Sequence, residues 1–355
     1  MSIANQLDSR DFLTRHDPSG MLSLTLDFAD QCQRALNIVQ SANLGQTPSP
    51  KNVVMTGLGG SAAGGDFVRA ILDAEGSVPF TVNRDYTLPA WVGKDTLVFA
   101  VSYSGNTEET LAAYEDAKRR GATIVVVSSG GKLIELAKQN GNVLVSVPGG
   151  QPPRTAMGYL LVPVLFVCQQ YGLVAKQDFP GAIESVRSMR SSAGPETDSS
   201  SNQAMQLAAE LTGKLGVLYA MGGWSAAVAQ RWRGQINENS KEMVFTHVFP
   251  ELCHNEILGW EGSHQQGVND WVTVVLGDGK ESERMRVRAE ITFEIIGKAT
   301  RFISVNAVGD SVLAKALSLA HFGDYVSLYL AALAGRDPGN MRAIDQLKEE
   351  LAKRD

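Results

Sequence analysis

Short apolar runs alternate with amphipathic stretches along the first half of the chain. Residues 52–58 (NVVMTGL) form an apolar, β-branched run ending in glycine and leucine, and 61–74 (SAAGGDFVRAILDA) follow as a helix-forming stretch. Further runs come at 97–101 (LVFAV), 123–127 (TIVVV) and 143–147 (VLVSV). Between the first two of these, 107–120 (TEETLAAYEDAKRR) has helical spacing, with Thr107 placed to cap it and acids in the first turn. Strands apolar on both faces that alternate with helices predict a parallel sheet covered on both sides.

The pattern breaks in the Ser-, Gly- and Pro-containing stretch at 190–203, which reads as a linker. A second series follows: strands at 216–221 (GVLYAM), 271–276 (WVTVVL) and 301–305 (RFISV), with helices at 225–238 and 283–297. Helices at about 311–335 and 341–353 close the chain. Met55-Thr56-Gly57-Leu58-Gly59-Gly60-Ser61-Ala62 has a counterpart in Tyr219-Ala220-Met221-Gly222-Gly223-Trp224-Ser225-Ala226, each between a strand and a helix. That similarity favours duplication over two unrelated glycine turns. The expected organisation is an N-terminal helical segment at 1–45, a doubly wound α/β domain at 46–189, a linker at 190–206, and a second such domain with C-terminal helices at 207–355.

Composition narrows the class. The chain has 355 residues, 44% hydrophobic and 20% charged, which is globular composition for about two domains. A net charge of -6 leaves no basic field for nucleic acid, although one pocket can still be positive. Three widely spaced cysteines (Cys32, Cys168, Cys253) predict neither disulfides nor a zinc site. The segment Met1–Arg15 lacks a signal-peptide core, and the apolar stretch 158–168 is about half a membrane span. A cytoplasmic protein with no membrane partner is expected.

Two strand-to-helix turns carry the candidate chemistry of the first half. Ser102-Tyr103-Ser104-Gly105-Asn106-Thr107 clusters three hydroxyls where a helix N-terminus offers free N–H groups to an anion. Taken alone, an ordinary serine-rich turn with Thr107 capping the helix is the better explanation. A second glycine turn, Gly57 to Ser61, converges on the same end of the sheet, where α/β folds bind ligands. It lacks the Gly-Lys-Ser/Thr of a Walker loop and fits the dinucleotide fingerprint only loosely. After the strand 271–276 the second copy reads Gly277-Asp278-Gly279-Lys280, without hydroxyls. Phosphate binding is therefore expected in the first copy alone.

The second half offers Arg233, Gln235, Asn237, Glu238, Asn239 and Lys241 at one helix end, and His254 sixteen residues beyond Glu238. Carboxylate and imidazole suit proton transfer beside a carbonyl. A solvated helix end and a satisfied histidine are the plainer alternatives, and spacing excludes neither.

GLGGSA at 57–62, SYSGNTEE at 102–109, PPRTAMGY at 152–159, NENSK at 237–241 and HNEILGW at 254–260 resemble the bifunctional phosphoglucose/phosphomannose isomerases. These belong to the sugar isomerase (SIS) domain superfamily. DYVSLYLA at 324–331 and AIDQLKEEL at 343–351 are similar to the same family's closing helices.

The resemblance implies two SIS domains, a homodimer, and interconversion of glucose 6-phosphate and mannose 6-phosphate with fructose 6-phosphate through an enediolate, a step of glycolysis and gluconeogenesis. It implies that Gly60, Ser61, Ser102, Ser104 and Thr107 hold the phosphate and nearby hydroxyls. Arg154 would stabilise the enediolate oxygen and Glu238 would shuttle the proton. His254, which can come from the partner subunit in that family, and Lys348 would assist ring opening. Such chemistry needs no cofactor, and no NAD or metal motif competes. Two departures stand out: NENSK replaces a NENAK-like segment, and DPGN at 337–340 stands where relatives often have DPTP. Isomerases of other sugar phosphates share the serine loop. A non-catalytic sensor would need that loop but not Glu238, His254 and Lys348.

Overall fold

The computed structural model describes residues 3–266 and 270–354. Helices α1 (Arg10–His16), α2 (Met21–Leu26) and α3 (Phe28–Gln40) precede the first α/β unit. That unit runs β1 (Asn52–Thr56), α4 (Gly59–Glu75), β2 (Phe80–Asn83), β3 (Thr96–Ser102), α5 (Glu108–Arg119), β4 (Thr123–Ser128), α6 (Gly131–Gln139) and β5 (Val143–Ser146). Helices α7 (Met157–Gln170), α8 (Phe179–Ala193) and α9 (Gln203–Leu211) lead to the second unit. It runs β6 (Leu215–Ala220), α10 (Gly223–Gln235), β7 (Val244–Val248), α11 (Glu256–Gly259), β8 (Trp271–Gly277), α12 (Glu283–Ile296) and β9 (Arg301–Asn306). Helices α13 (Val312–Leu333) and α14 (Arg342–Leu351) end the chain.

Among the described residues there are two sheets, both wholly parallel. Their orders are β2-β1-β3-β4-β5 and β7-β6-β8-β9. Superposing β1 on β6 makes the first four strands correspond one to one, so the repeated glycine turns are equivalent points of two like folds. The edge strands β2 and β7 were not foreseen from the sequence. Both are short, and only Phe80 and Asn83 of β2 and Val244 of β7 are buried, so neither has the continuous apolar run of a central strand.

Alternate residues of each strand enter different cores, as the two-residue strand period requires. Val53, Met55, Leu97, Phe99 and Val101 join the large cluster between the sheets, while Val54, Val98 and Ala100 join a smaller one on the outer face. In the second sheet Leu218 and Ala220 face the common core, and Val217 and Tyr219 face their own outer cluster. The doubly wound α/β reading holds for both halves.

Helix α13 runs through the middle of the common core and packs on α8, α9 and α10. Among the described residues it is the helix long and apolar enough to cross a membrane, yet 94% of its most apolar window is buried inside the protein. A helix apolar all round is what a core position demands.

The polar stretch at 190–206 is tied down by its own side chains. Asn202 accepts hydrogen bonds from the Ala204 and Met205 N–H groups at the start of α9 and donates to the carbonyls of Ala193 and Gly194. Ser199 bonds Asp8 through both N–H and hydroxyl.

Candidate active site

The hydroxyl-rich turn lies between β3 and α5. Thr107 occupies the N-cap position, but its side chain accepts no hydrogen bond from the helix; its hydroxyl lies 2.9 Å from that of Ser102. The first turn of α5 therefore has no side-chain cap. Leu58, at the N-cap of α4, cannot supply one either. Two helix N-termini with free donors thus stand at neighbouring strands. The Ser61 hydroxyl joins their turns by accepting from the Tyr103 N–H at 3.3 Å. Ser104 is exposed and its hydroxyl accepts from the Asn106 N–H at 3.3 Å. Gly105 has φ 72°, and a Cβ there would come within 1.8 Å of the Gly130 carbonyl oxygen, so this turn admits only glycine.

The turn is linked to the second half through Arg154. A Cβ on Gly60 would meet the Pro153 carbonyl oxygen at 2.7 Å and the Arg154 nitrogen at 3.0 Å. Glycine at this position lets the Pro153–Thr155 turn press against the start of α4. The Arg154 side chain is 4% exposed. Its Nε donates to Asn239 Oδ1 at 2.9 Å and its Nη2 to the Pro338 carbonyl at 2.7 Å. Its Nη1 lies 3.8 Å from Glu238 Oε2. Burial pulls the guanidinium pKa down, and the Glu238 charge opposes that.

Glu238 lies in a π-helical turn, Ile236–Ser240, that continues α10 where the sequence suggested plain helix. Widened turns of this kind recur at functional sites. Lys241 ends it at φ 59° and donates to the carbonyls of Glu238 (2.9 Å) and Asp337 (2.7 Å). Burial, then the nearby Arg154 charge, lower the Lys241 pKa. The DPGN segment thus supplies backbone acceptors to both Arg154 and Lys241.

Beneath this layer lies a buried network in which sequence reasoning named Gln235 and Asn239 but missed Arg231, Asp324 and Ser327. Arg231 donates to the Arg154 carbonyl at 2.8 Å and pairs with Asp324 at 3.1 Å. Gln235 donates to Asp324 at 2.8 Å, and Asn239 donates to Ser327 at 2.9 Å. Burial raises the Asp324 pKa against the opposing pull of Arg231. The available signal was a lone acid in an apolar helix, because a carboxylate there requires a paired cation.

A cavity of about 590 Å³ opens between α4 and α10, with Gly59, Gly60, Arg154 and Glu238 in its wall. The side chain of Glu238 is 31% exposed. Ser102, Ser104 and Thr107 lie outside this lining, as do His254 and Lys348. Both of the latter are exposed, and their side chains have no hydrogen-bond or ion-pair partner among the described residues. One chain therefore brings Gly60, Arg154 and Glu238 together, and leaves His254 and Lys348 outside that cavity. No group of three or more His, Cys, Asp or Glu among the described residues could hold a metal ion.

Comparison with known proteins decides the family. Residues 49–147 match the SIS domain, and 200–351 match the bacterial phospho-glucose isomerase C-terminal SIS domain. A bifunctional phosphoglucose/phosphomannose isomerase of Caldicellulosiruptor bescii is 40% identical over 338 residues, covering 94% of this chain and 99% of the relative. The chain belongs to the bifunctional phosphoglucose/phosphomannose isomerase family. The enzyme of that name from Aquifex aeolicus is 37% identical over 85% of this chain and 91% of its own length. Among solved structures, a hypothetical protein of Thermus thermophilus aligns with TM-score 0.75 at 17% identity over 99% of this chain and 94% of its own. At that identity it supports the two-domain fold of this family and nothing finer.

Proposed function

We propose that the protein interconverts glucose 6-phosphate and mannose 6-phosphate with fructose 6-phosphate, using Glu238 as the proton shuttle. The observation that carries the mechanism is the pairing of a partly exposed carboxylate, Glu238, with a buried guanidinium, Arg154, at 3.8 Å in the wall of a cavity. In this reading the substrate phosphate lies at the Ser102–Thr107 turn and the start of α4. Glu238 removes the proton from one carbon of the opened sugar and returns it to its neighbour. The fixed positive charge of Arg154 stabilises the enediolate oxygen that forms between the two steps. No redox partner is required, because the reaction moves protons within one molecule.

His254 and Lys348 are proposed to assist ring opening. Since both lie outside the cavity of their own chain, His254 is assigned to the site of a partner in a cytoplasmic homodimer. A coupled assay with fructose 6-phosphate, following glucose 6-phosphate and mannose 6-phosphate separately, tests the reaction. Formation of neither product would overturn it. Mixing inactive Glu238→Gln and His254→Ala subunits tests the shared site: verified mixed dimers should regain part of the activity. No regain would place both residues in one subunit.

A further inference from the structure

The same cavity carries a second set of charges that the proposed reaction does not use. Its wall also includes Arg69, Arg84 and Arg233, from α4, the segment after β2, and α10. Arg84 pairs with Asp66. The side chains of Arg69 and Arg233 are exposed and have no hydrogen-bond or ion-pair partner among the described residues. Of the five arginines in the lining, Arg84 pairs with Asp66, Arg154 lies beside Glu238 and Arg231 pairs with the buried Asp324, which leaves the charges of Arg69 and Arg233 unbalanced by any paired carboxylate. This excess of positive charge belongs to a chain whose net charge is -6. A cleft lined by one sign of charge concentrates ions of the other sign, and the guanidinium fork matches phosphate oxygens.

Position separates these arginines from the substrate's own phosphate. Arg69 is nine residues beyond Gly60 on α4, about 13 Å at 1.5 Å per residue. A hexose phosphate anchored at the start of that helix, with its first two carbons beside Glu238, holds its phosphate far from Arg69. A second phosphate on carbon 1 would instead point past Glu238. Arg233 precedes Glu238 by five residues, over a turn of helix away.

We propose that the Arg69, Arg84 and Arg233 end of the cavity is a second phosphate subsite, so that a doubly phosphorylated sugar spans the cavity and excludes the substrate. The subsite stands on the charge cluster itself; the competition with substrate rests on the reading of the catalytic site given above.

The test uses titration calorimetry of the full chain with fructose 6-phosphate and with fructose 1,6-bisphosphate, in wild type and in Arg69→Gln/Arg233→Gln. Wild type is expected to bind the bisphosphate roughly 10-fold or more tightly than the monophosphate, charge-assisted hydrogen bonds being about twice as strong as neutral ones. The variant should lose most of that preference and keep its affinity for the monophosphate within about twofold, since that ligand does not reach these side chains.

An equal preference in wild type and variant overturns the proposal, as does the absence of any preference in wild type. A parallel loss of both ligands assigns the arginines to the substrate's own phosphate and also overturns it. Sedimentation of the variant guards against a third reading: dissociation of a wild-type dimer with bisphosphate preference intact would give these arginines to a second copy of the chain. A failure of the isomerase reading leaves the calorimetric comparison intact, because binding of either ligand does not require turnover.

Discussion

The two glycine turns of the first sheet and their counterparts in the second occupy equivalent places in equivalent folds, and differ in what fills them. After β3, Thr107 turns its hydroxyl to Ser102 and leaves the start of α5 without a side-chain cap. After β8, Ser282 accepts from the Met285 N–H and caps α12. Glu281 accepts from the Asp278 N–H at 2.8 Å, and Asp278 forms a 2.6 Å ion pair with Lys315. Burial works against the Asp278 charge, but Lys315 and the Lys280 N–H outweigh it and hold the carboxyl below its usual range. The second turn is filled by its own carboxylates, which repel phosphate. In the proposed reading, one turn keeps its donors for a ligand, the other uses them for folding, and the second half contributes chemistry through the widened turn that carries Glu238.

If that division is right, the largest effect comes from disabling the chemical half alone. Glu238→Gln keeps the side chain's shape and removes the base, so turnover should fall by roughly 10²–10⁴-fold. Binding of fructose 6-phosphate should persist. In heavy water the wild type should place deuterium at carbon 2 of the glucose 6-phosphate it forms. Near-normal turnover in the variant would return Glu238 to the role of a solvated helix end.

Next in size is the joint between the halves. The Arg231–Asp324 pair is almost fully buried, with side chains 4% and 7% exposed, and Arg231 also holds the Arg154 backbone. Asp324→Asn leaves the guanidinium without its counter-charge and should cost about 3–5 kcal/mol of stability. Denaturant unfolding reads this directly. A loss under 1 kcal/mol would show that water or another group takes over from Asp324.

The sequence made the central strands legible because residues such as Val53–Met55 and Leu97–Val101 are apolar on both faces, and burial on both faces is what a parallel sheet requires. It hid β2 and β7, whose partly exposed residues have no such run. Arg154 was singled out only through the resemblance, while Glu238 was first one of several polar residues at a helix end, whose role spacing left open. Their supports were missed because the partners are far apart in sequence: Arg154 draws on Asn239 and Pro338, and Arg231 on Asp324. Hydrogen bonds between distant segments leave no periodic trace. The Thr107 side chain shows the opposite error. Position predicted a cap, and the nearby Ser102 hydroxyl took the side chain instead.

Removing the binding half's hydroxyls should act on KM. Ser104→Ala with Thr107→Ala deletes two neutral donors to the phosphate, and hydrogen bonds to a charged group contribute about 1.5–3 kcal/mol each. The KM for fructose 6-phosphate should rise roughly 100-fold or more. Undiminished affinity would place the phosphate elsewhere in the cleft.

The smallest effect is also the sharpest contrast between the copies. Ser282→Ala removes an N-cap that the structure shows in use, and such a loss costs about 1 kcal/mol. Stability should therefore drop modestly while KM for fructose 6-phosphate stays unchanged, because no phosphate is expected at this turn. Thr107→Ala, at the matching helix start, should do the reverse. Its side chain caps nothing, so the denaturation midpoint should barely move while KM rises. Measuring both variants by denaturation and by steady-state kinetics gives a crossed pattern, stability lost in one and affinity in the other. Two variants that lose stability alike, with KM unmoved in both, would mean that the hydroxyl turn after β3 is a folding device like its counterpart.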